Sequence, residues 1–169
     1  FRAGAVPPDG VVDVYIVNEL EAYEMTGVEV ADPKSAVKAA CELVKKLRPG
    51  GRVVVTLGAQ GAVAVSDGEE AALYIPAMRV TAVDTTGAGD TFAGYLLTEL
   101  CAGRTMGEAL RFATAAAAIT VTRAGAQSSF PRRDEVEAVL ADAPTAQPLP
   151  EPRRKTRYTP TTAPTKSCC

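Results

Sequence analysis

Val83-Asp84-Thr85-Thr86-Gly87-Ala88-Gly89-Asp90-Thr91-Phe92 is the stretch of this 169-residue sequence best suited to chemistry. Small residues ahead of a helix let the backbone come close to a ligand, and the free amides of the helix start, backed by the positive end of the dipole, suit a phosphate. An acid in the same corner adds reactivity. Asp90 would lie beside a phosphoryl group in transit, placed to accept a proton from an attacking hydroxyl. Asp84, six residues earlier, cannot share that face of the helix. The chain has no histidine, which removes Ser-His and Cys-His nucleophile systems and histidine metal sites and leaves carboxylates as the acid-base groups. A simple turn with Asp90 as a helix cap would account for the same glycines without a ligand. A dinucleotide-binding turn would need an acid after a second strand about twenty residues on, where the sequence instead has a helical stretch with Glu108 and Leu110. A Walker loop is excluded because no Gly-x-x-x-x-Gly-Lys occurs.

The elements that must hold this corner are legible from patterning. Residues 11–17 form a β-branched run that reads as a buried strand, delivering Asn18 at its carboxyl end to a polar helix closed by Gly27. Asp32 followed by Pro33 starts a second helix, with Val37, Ala40, Cys41, Val44 and Leu47 as its apolar stripe. Residues 52–57 and 62–65 are strand candidates separated by Gly58-Ala59-Gln60-Gly61, and 73–75 and 79–83 are weaker ones. Apolar helices follow over 87–100 and 106–121, both expected to be mostly buried, and a short one over 134–140. This order predicts an α/β layered domain with a largely parallel sheet.

A chain of this length with 47% hydrophobic residues supports one core. The last nineteen residues hold five Lys or Arg against one Glu, so residues 1–150 carry about −6 of the net charge of −2. An acidic body argues against a nucleic-acid partner. No run suits a membrane helix and no signal-peptide pattern opens the sequence, so a soluble, intracellular, cytoplasmic protein is expected. Cys41, Cys101, Cys168 and Cys169 form no CxxC pair, and the first two are expected as reduced thiols in helices. From residue 143 on, Pro, Thr and Arg predominate, so the expected organisation is one domain over 1–142 and a disordered tail over 143–169. The terminal Cys pair has the look of a prenylation signal but reads better as an accidental terminus.

Asp84-Thr85-Thr86-Gly87-Ala88-Gly89-Asp90 resembles the signature of the ribokinase-like family of sugar and nucleoside kinases. Three other segments fall in that family's order: Asn18-Glu19-Leu20-Glu21 resembles its Asn-x-x-Glu motif, 56–61 its nucleotide loop, and 125–131 the stretch closing its nucleotide and cation sites. The resemblance implies a layered α/β/α fold and transfer of the ATP γ-phosphoryl group to a sugar, with Asp90 as base and the Gly87, Ala88 and Gly89 amides as anion hole. It implies that Asn18 and Glu21 act through water on the magnesium carried by ATP, and that Thr56, Gly58 and Gly61 line phosphates and ribose. Thr114 falls where the family places a residue near adenine. A potassium ion is implied beside Asp84, Thr86, Thr120, Arg123, Gly125 and Ser129, several of them through carbonyls alone.

Similarity around Thr85-Thr86 and 125–131 points to D-ribose as acceptor, with fructose, adenosine or another sugar as alternatives, and a noncatalytic nucleotide-binding module as a different class. Family members are about twice as long. Their first half supplies a Gly-Gly segment and an Asp that grip the sugar, and a β lid; none occurs here, since Gly50-Gly51 is a turn before a strand. The expectation is therefore the C-terminal half of a kinase, lacking the N-terminal half and lid, of a protein that is a homodimer at full length.

Overall fold

The computed structural model describes residues 9–150. Five strands form one sheet in the order β1-β2-β3-β4-β5: β1 Val14–Val17, β2 Arg52–Thr56, β3 Ala62–Ser66, β4 Ala71–Ile75 and β5 Gln147–Pro150. Helices α1 Glu19–Thr26 and α2 Pro33–Val44 lie in the β1–β2 crossover, and α3 Ala88–Cys101, α4 Met106–Val121 and α5 Arg133–Val139 follow β4.

The local signals explain these boundaries. The Asn18 side chain accepts from the Glu21 amide while Glu21 reaches back to the Asn18 amide, and Gly27 ends α1 at φ 72°. Asp32 caps the Ser35 amide, with Pro33 in the first turn where no amide is missed. Cys41 lies on α2 and Cys101 ends α3.

β2 is buried on both faces. Val53 and Val55 point into a core shared with Val37, Ala40 and Val44 of α2, while Val54 points into a second core with Phe92 and Leu96 of α3 and Ala109 and Leu110 of α4. The period-2 alternation of a strand thus builds an α/β/α sandwich from a valine run without polar alternation. Behind α4, Phe112, Ala115 and Ala116 pack on Val136 of α5.

The sheet is mixed, not largely parallel. β1 and β2 pair in parallel, whereas β2–β3, β3–β4 and β4–β5 are antiparallel. Connection length decides the first three pairings: the β1–β2 link carries a helical crossover, whereas the short links at 57–61 and 67–70 close hairpins; β5 returns antiparallel to β4 after the long segment that holds α3, α4 and α5. The weaker candidate 79–83 is not a strand. Val80 and Val83 are exposed, and the Val83 and Asp84 amides donate to the Val121 carbonyl instead of a ladder.

The expected boundary at 142 also shifts. Ala143 is buried, and β5 continues the sheet from β4, with Leu149 packed on the first core. Main-chain pairing needs no apolar sequence, and prolines are tolerated on an edge strand, where the missing donor can face outward. Residues 151–169, including Cys168-Cys169, lie outside the described residues.

α4 is the buried helix of the pair expected to be so. α3 buries Thr91, Phe92, Leu96 and Glu99 but leaves Leu97 exposed. Glu99 is fully buried and receives Arg104 and Arg133, whose guanidinium carbons lie 4.8 and 5.2 Å from the Phe112 ring centroid. Burial raises the Glu99 pKa, but hydrogen bonds and charge from the two arginines outweigh it and hold the carboxyl below its ordinary value. No helix among the described residues is long and apolar enough to cross a membrane.

Candidate phosphate-binding and catalytic site

α3 opens unlike the other long helices. α1, α2 and α4 begin on Asn18, Asp32 and Thr105, each capping an amide, whereas α3 begins on Gly87 in the left-handed region, φ 77°, with no side-chain cap. The Ala88 amide donates to Thr85 O at 3.2 Å and the Thr91 amide starts the ladder on Gly87 O at 2.9 Å. The amides between them, on Gly89 and Asp90, have no acceptor among the described residues. Both residues are exposed, so two free donors and one carboxylate share a single helical turn at the positive end of the dipole. Ala88, expected in the anion hole, has its amide turned inward to Thr85.

Gly87 is required on two counts. Its φ suits only glycine, and a Cβ there would come within 2.8 Å of Cε1 of the Phe130 ring, which lies against the turn.

Asp84 ties the turn to the later loop. Its Oδ1 accepts the Thr86 amide and its Oδ2 the Gly125 amide, each at 2.9 Å. Hydrogen bonds from the Thr86 hydroxyl, the Thr86 amide and the Gly125 amide, in that order, lower its pKa to about 2. Since the folded-state pKa lies below that of the unfolded chain, near 4, this contribution to stability is present above about pH 4 and is lost as pH falls through about 2. Acid titration of unfolding free energy in wild type and Asp84→Asn should show a gap that is constant at neutral pH and narrows between pH 4 and 2. A gap independent of pH would show that the carboxylate charge does not hold the loop.

The rest of the 125–131 stretch is fastened in several places. Val83 and Asp84 donate to Val121 O at 2.7 and 3.2 Å, Ser129 is buried with its hydroxyl on Ala126 O, and Tyr95 donates to Pro131 O at 3.0 Å. Arg123 and Glu135 pair across the loop. Of the residues expected around a potassium ion, Asp84, Thr86 and Gly125 are joined directly, whereas the Thr120 hydroxyl turns to Ala116 and Thr91, the Ser129 hydroxyl to Ala126 O and the Arg123 guanidinium to Glu135. With three hydrogen bonds on its two oxygens, the Asp84 carboxylate still has acceptor capacity, and such an oxygen donor suits a hard cation.

The second group of expected residues lies at the carboxyl ends of β1 and β2. Val17 is in register with Val55, and the Thr56 hydroxyl donates to Val17 O at 3.4 Å, next to Asn18. Gly58 and Gly61 bracket a single 3₁₀ turn that Tyr74 fixes through Gln60 O. Asn18 and Glu21 satisfy each other as a capping pair, with Glu21 engaged through Oε2. Thr114 is buried within α4, and its hydroxyl has no partner among the described residues. Among the described residues no three Asp, Glu or Cys side chains gather as a metal cage. A magnesium ion held mainly by nucleotide phosphates, with Glu21 as an outer carboxylate, fits this donor set; an all-protein cage does not.

Sequence reasoning missed the side-chain roles of Thr91, Thr120 and Phe130. The Thr91 and Thr120 hydroxyls meet at 3.1 Å in the interior, and no periodic pattern marks such a pair 29 residues apart.

Residues 9–133 match the family model described as pfkB family carbohydrate kinase. The chain is 46% identical over 132 residues to the ribokinase of Haemophilus influenzae, covering 78% of this chain and 42% of that protein. It superimposes on the ribokinase of Arabidopsis thaliana complexed with ribose and ATP with a TM-score of 0.70 at 32% identity, covering 76% of this chain and 41% of that one. For phosphofructokinase-2 of Escherichia coli in complex with potassium the TM-score is 0.68 at 29% identity, with 79% and 41% covered. The chain thus spans about two fifths of the length of these relatives. With its motifs, its α/β/α layers and this match in agreement, the chain belongs to the pfkB family of carbohydrate kinases.

Proposed function

We propose that this chain is the nucleotide-binding, phosphoryl-transferring half of a sugar kinase that converts ATP and D-ribose to ribose 5-phosphate and ADP. The observation that carries the reading is the uncapped start of α3, where the Gly89 and Asp90 amides have no acceptor beside the exposed Asp90 carboxylate. Asp90 accepts the proton of the acceptor hydroxyl as its oxygen attacks the γ-phosphorus. The bond to the bridging oxygen breaks, and ADP leaves with the electron pair. The free amides stabilise the charge spread over the equatorial oxygens.

Gly58, with open space where a Cβ would be, leaves the loop backbone accessible to the nucleotide, Gly61 lets that loop close on the segment after β4, and the unpartnered Thr114 hydroxyl is the kind of buried group that a polar base edge satisfies. Magnesium, when bound, would neutralise phosphate charge, and Glu21, held by Asn18 as a capping pair through Oε2, would act as an outer carboxylate through Oε1. A potassium ion at the Asp84 and Gly125 junction would order the turn without touching substrate, a reading supported by the potassium complex of the related phosphofructokinase-2. Ribose is favoured over fructose or adenosine by the identity to the H. influenzae ribokinase and the likeness to the ribose and ATP complex. A full-length homodimer rests on the family resemblance alone, and a cytoplasmic location on the sequence pattern.

The chain by itself should bind ATP and release ADP slowly, with no response to ribose. Positioning of two reactants accounts for roughly 7 to 11 kcal/mol of a bimolecular barrier, so a base without an oriented acceptor is nearly idle. Joined to the part of H. influenzae ribokinase that it does not span, it should turn over ribose at roughly 1 to 100 per second. A chimera that is folded and binds ribose but transfers nothing would refute the assignment, and one faster with fructose or adenosine would replace the acceptor.

A further inference from the structure

α3 and α4 are antiparallel and meet along a surface in which α4 offers mainly alanine: Ala109, Ala113 and Ala117 face Phe92, Tyr95 and Leu96. Methyl groups repeating along a helix give contact area but little direction, so the register of such a pair is set by its few polar contacts. There are two sets. At the end far from the site Glu99 holds Arg104 and Arg133. At the near end Thr91 and Thr120, 5% and 0% exposed, bring their hydroxyls to 3.1 Å. Thr120 Oγ1 is also 3.1 Å from the Ala116 carbonyl, which can only accept. Both contacts are satisfied together when Thr120 gives its one proton to Ala116 and Thr91 donates to Thr120.

The placement of this pair gives it a role. Thr91 follows Asp90 directly. Val121, next after Thr120, accepts the Val83 and Asp84 amides through its carbonyl. The segment 83–91, which contains the whole turn, is thus pinned at both ends to two consecutive residues of α4.

We propose that Thr91 and Thr120 are positioning residues of the phosphoryl-transfer site. Their buried hydroxyl pair fixes the register of α3 on α4, and so sets the Asp90 carboxylate and the free Gly89 and Asp90 amides against the 125–131 loop. The functional half of this inference rests on the reading of the α3 start given above; the register half does not.

The test uses the whole chain and the variants Thr120→Val, Thr120→Ser and the double Thr91→Val/Thr120→Val. It has four readouts: unfolding free energy in urea, hydrogen exchange at the Val83 and Asp84 amides, affinity for ATP, and ADP release. Thr120→Val should speed exchange at both amides and lower ADP release by about tenfold or more, with ATP affinity within about twofold, because a small misplacement of the reacting groups costs rate before binding. Thr120→Ser should restore both. The double variant removes both hydroxyls, so it should regain stability relative to Thr120→Val while ADP release stays low. Wild-type exchange and release in Thr120→Val would overturn the proposal. So would a double variant that regains release along with stability, because the pair would then serve stability alone. A wild-type chain that releases no ADP would overturn the transfer-site reading, and exchange at Val83 and Asp84 would still decide the register claim.

Discussion

Asp90→Asn in the ribose-competent chimera is expected to lower turnover by at least about a hundredfold, or about 2.7 kcal/mol of transition-state stabilisation, while ATP affinity stays within about twofold. The amide is nearly isosteric and leaves the helix start and its free donors in place, so ground-state binding of phosphate is spared. What it removes is the lone pair that takes the acceptor proton. With no histidine in this chain, none of its own residues near the helix start offers an imidazole in place of the carboxylate. A fall in ATP affinity equal to the fall in turnover would indicate that Asp90 serves the helix start and not the chemistry. Near-normal turnover would remove it from the mechanism.

Gly61→Ala should be the most damaging single methyl added to the nucleotide loop. Gly61 has φ 100°, and a Cβ built there would stand 2.0 Å from Ile75 O and 2.8 Å from both the Ala77 nitrogen and the Pro76 Cα. These are main-chain atoms of β4 and the segment after it, so no side chain can swing aside. Relief requires parting β3 from β4 where Ala62 pairs with Ile75, at the foot of the loop that holds Gly58. The expected loss is about 3 kcal/mol or more in urea unfolding, combining backbone strain with a steric clash. Gly58→Ala is the internal control: φ is 50° and a Cβ meets nothing within 4 Å, so about 1 kcal/mol is expected. Equal losses for the two variants would show that left-handed backbone, and not close approach, is what the loop requires of glycine.

Much of the fold was legible because its signals are local. Asn18 with Gly27, Asp32 with Pro33, and the valine run of β2 each state their element within a few residues, and the structure places α1, α2 and β2 accordingly. Strand direction was not legible from the same residues. For β2, β3 and β4 it follows from the short links at 57–61 and 67–70, which make hairpins in a domain whose alternating elements suggested parallel pairing, and for β5 it is set by where the long helical segment returns to the sheet. β5 was hidden because its pairing is main-chain, and QPLP carries little apolar pattern to announce it.

The site divides in the same way. The glycines and Asp90 were legible from composition at a helix start. The Asp84 link to Gly125 and the Thr91 link to Thr120 join residues 41 and 29 positions apart, and the Ala88 amide turned out to serve the turn itself. Glu21 shows the limit most plainly: one spacing, Asn18 to Glu21, makes a capping box and is also the pattern that resembles a magnesium-orienting motif.

The measurement that bears most directly on the central claim is an NMR titration of the isotopically labelled chain with magnesium and a nonhydrolysable ATP analogue. The account predicts saturable shifts of the Gly89 and Asp90 amides, with Gly58 and Gly61 moving along the same isotherm, and much weaker effects from the diphosphate analogue at Gly89 and Asp90. Saturable binding that moves Gly58 and Gly61 but leaves the Gly89 and Asp90 amides in place would contradict it, because the γ-phosphate would then lie elsewhere than at the start of α3.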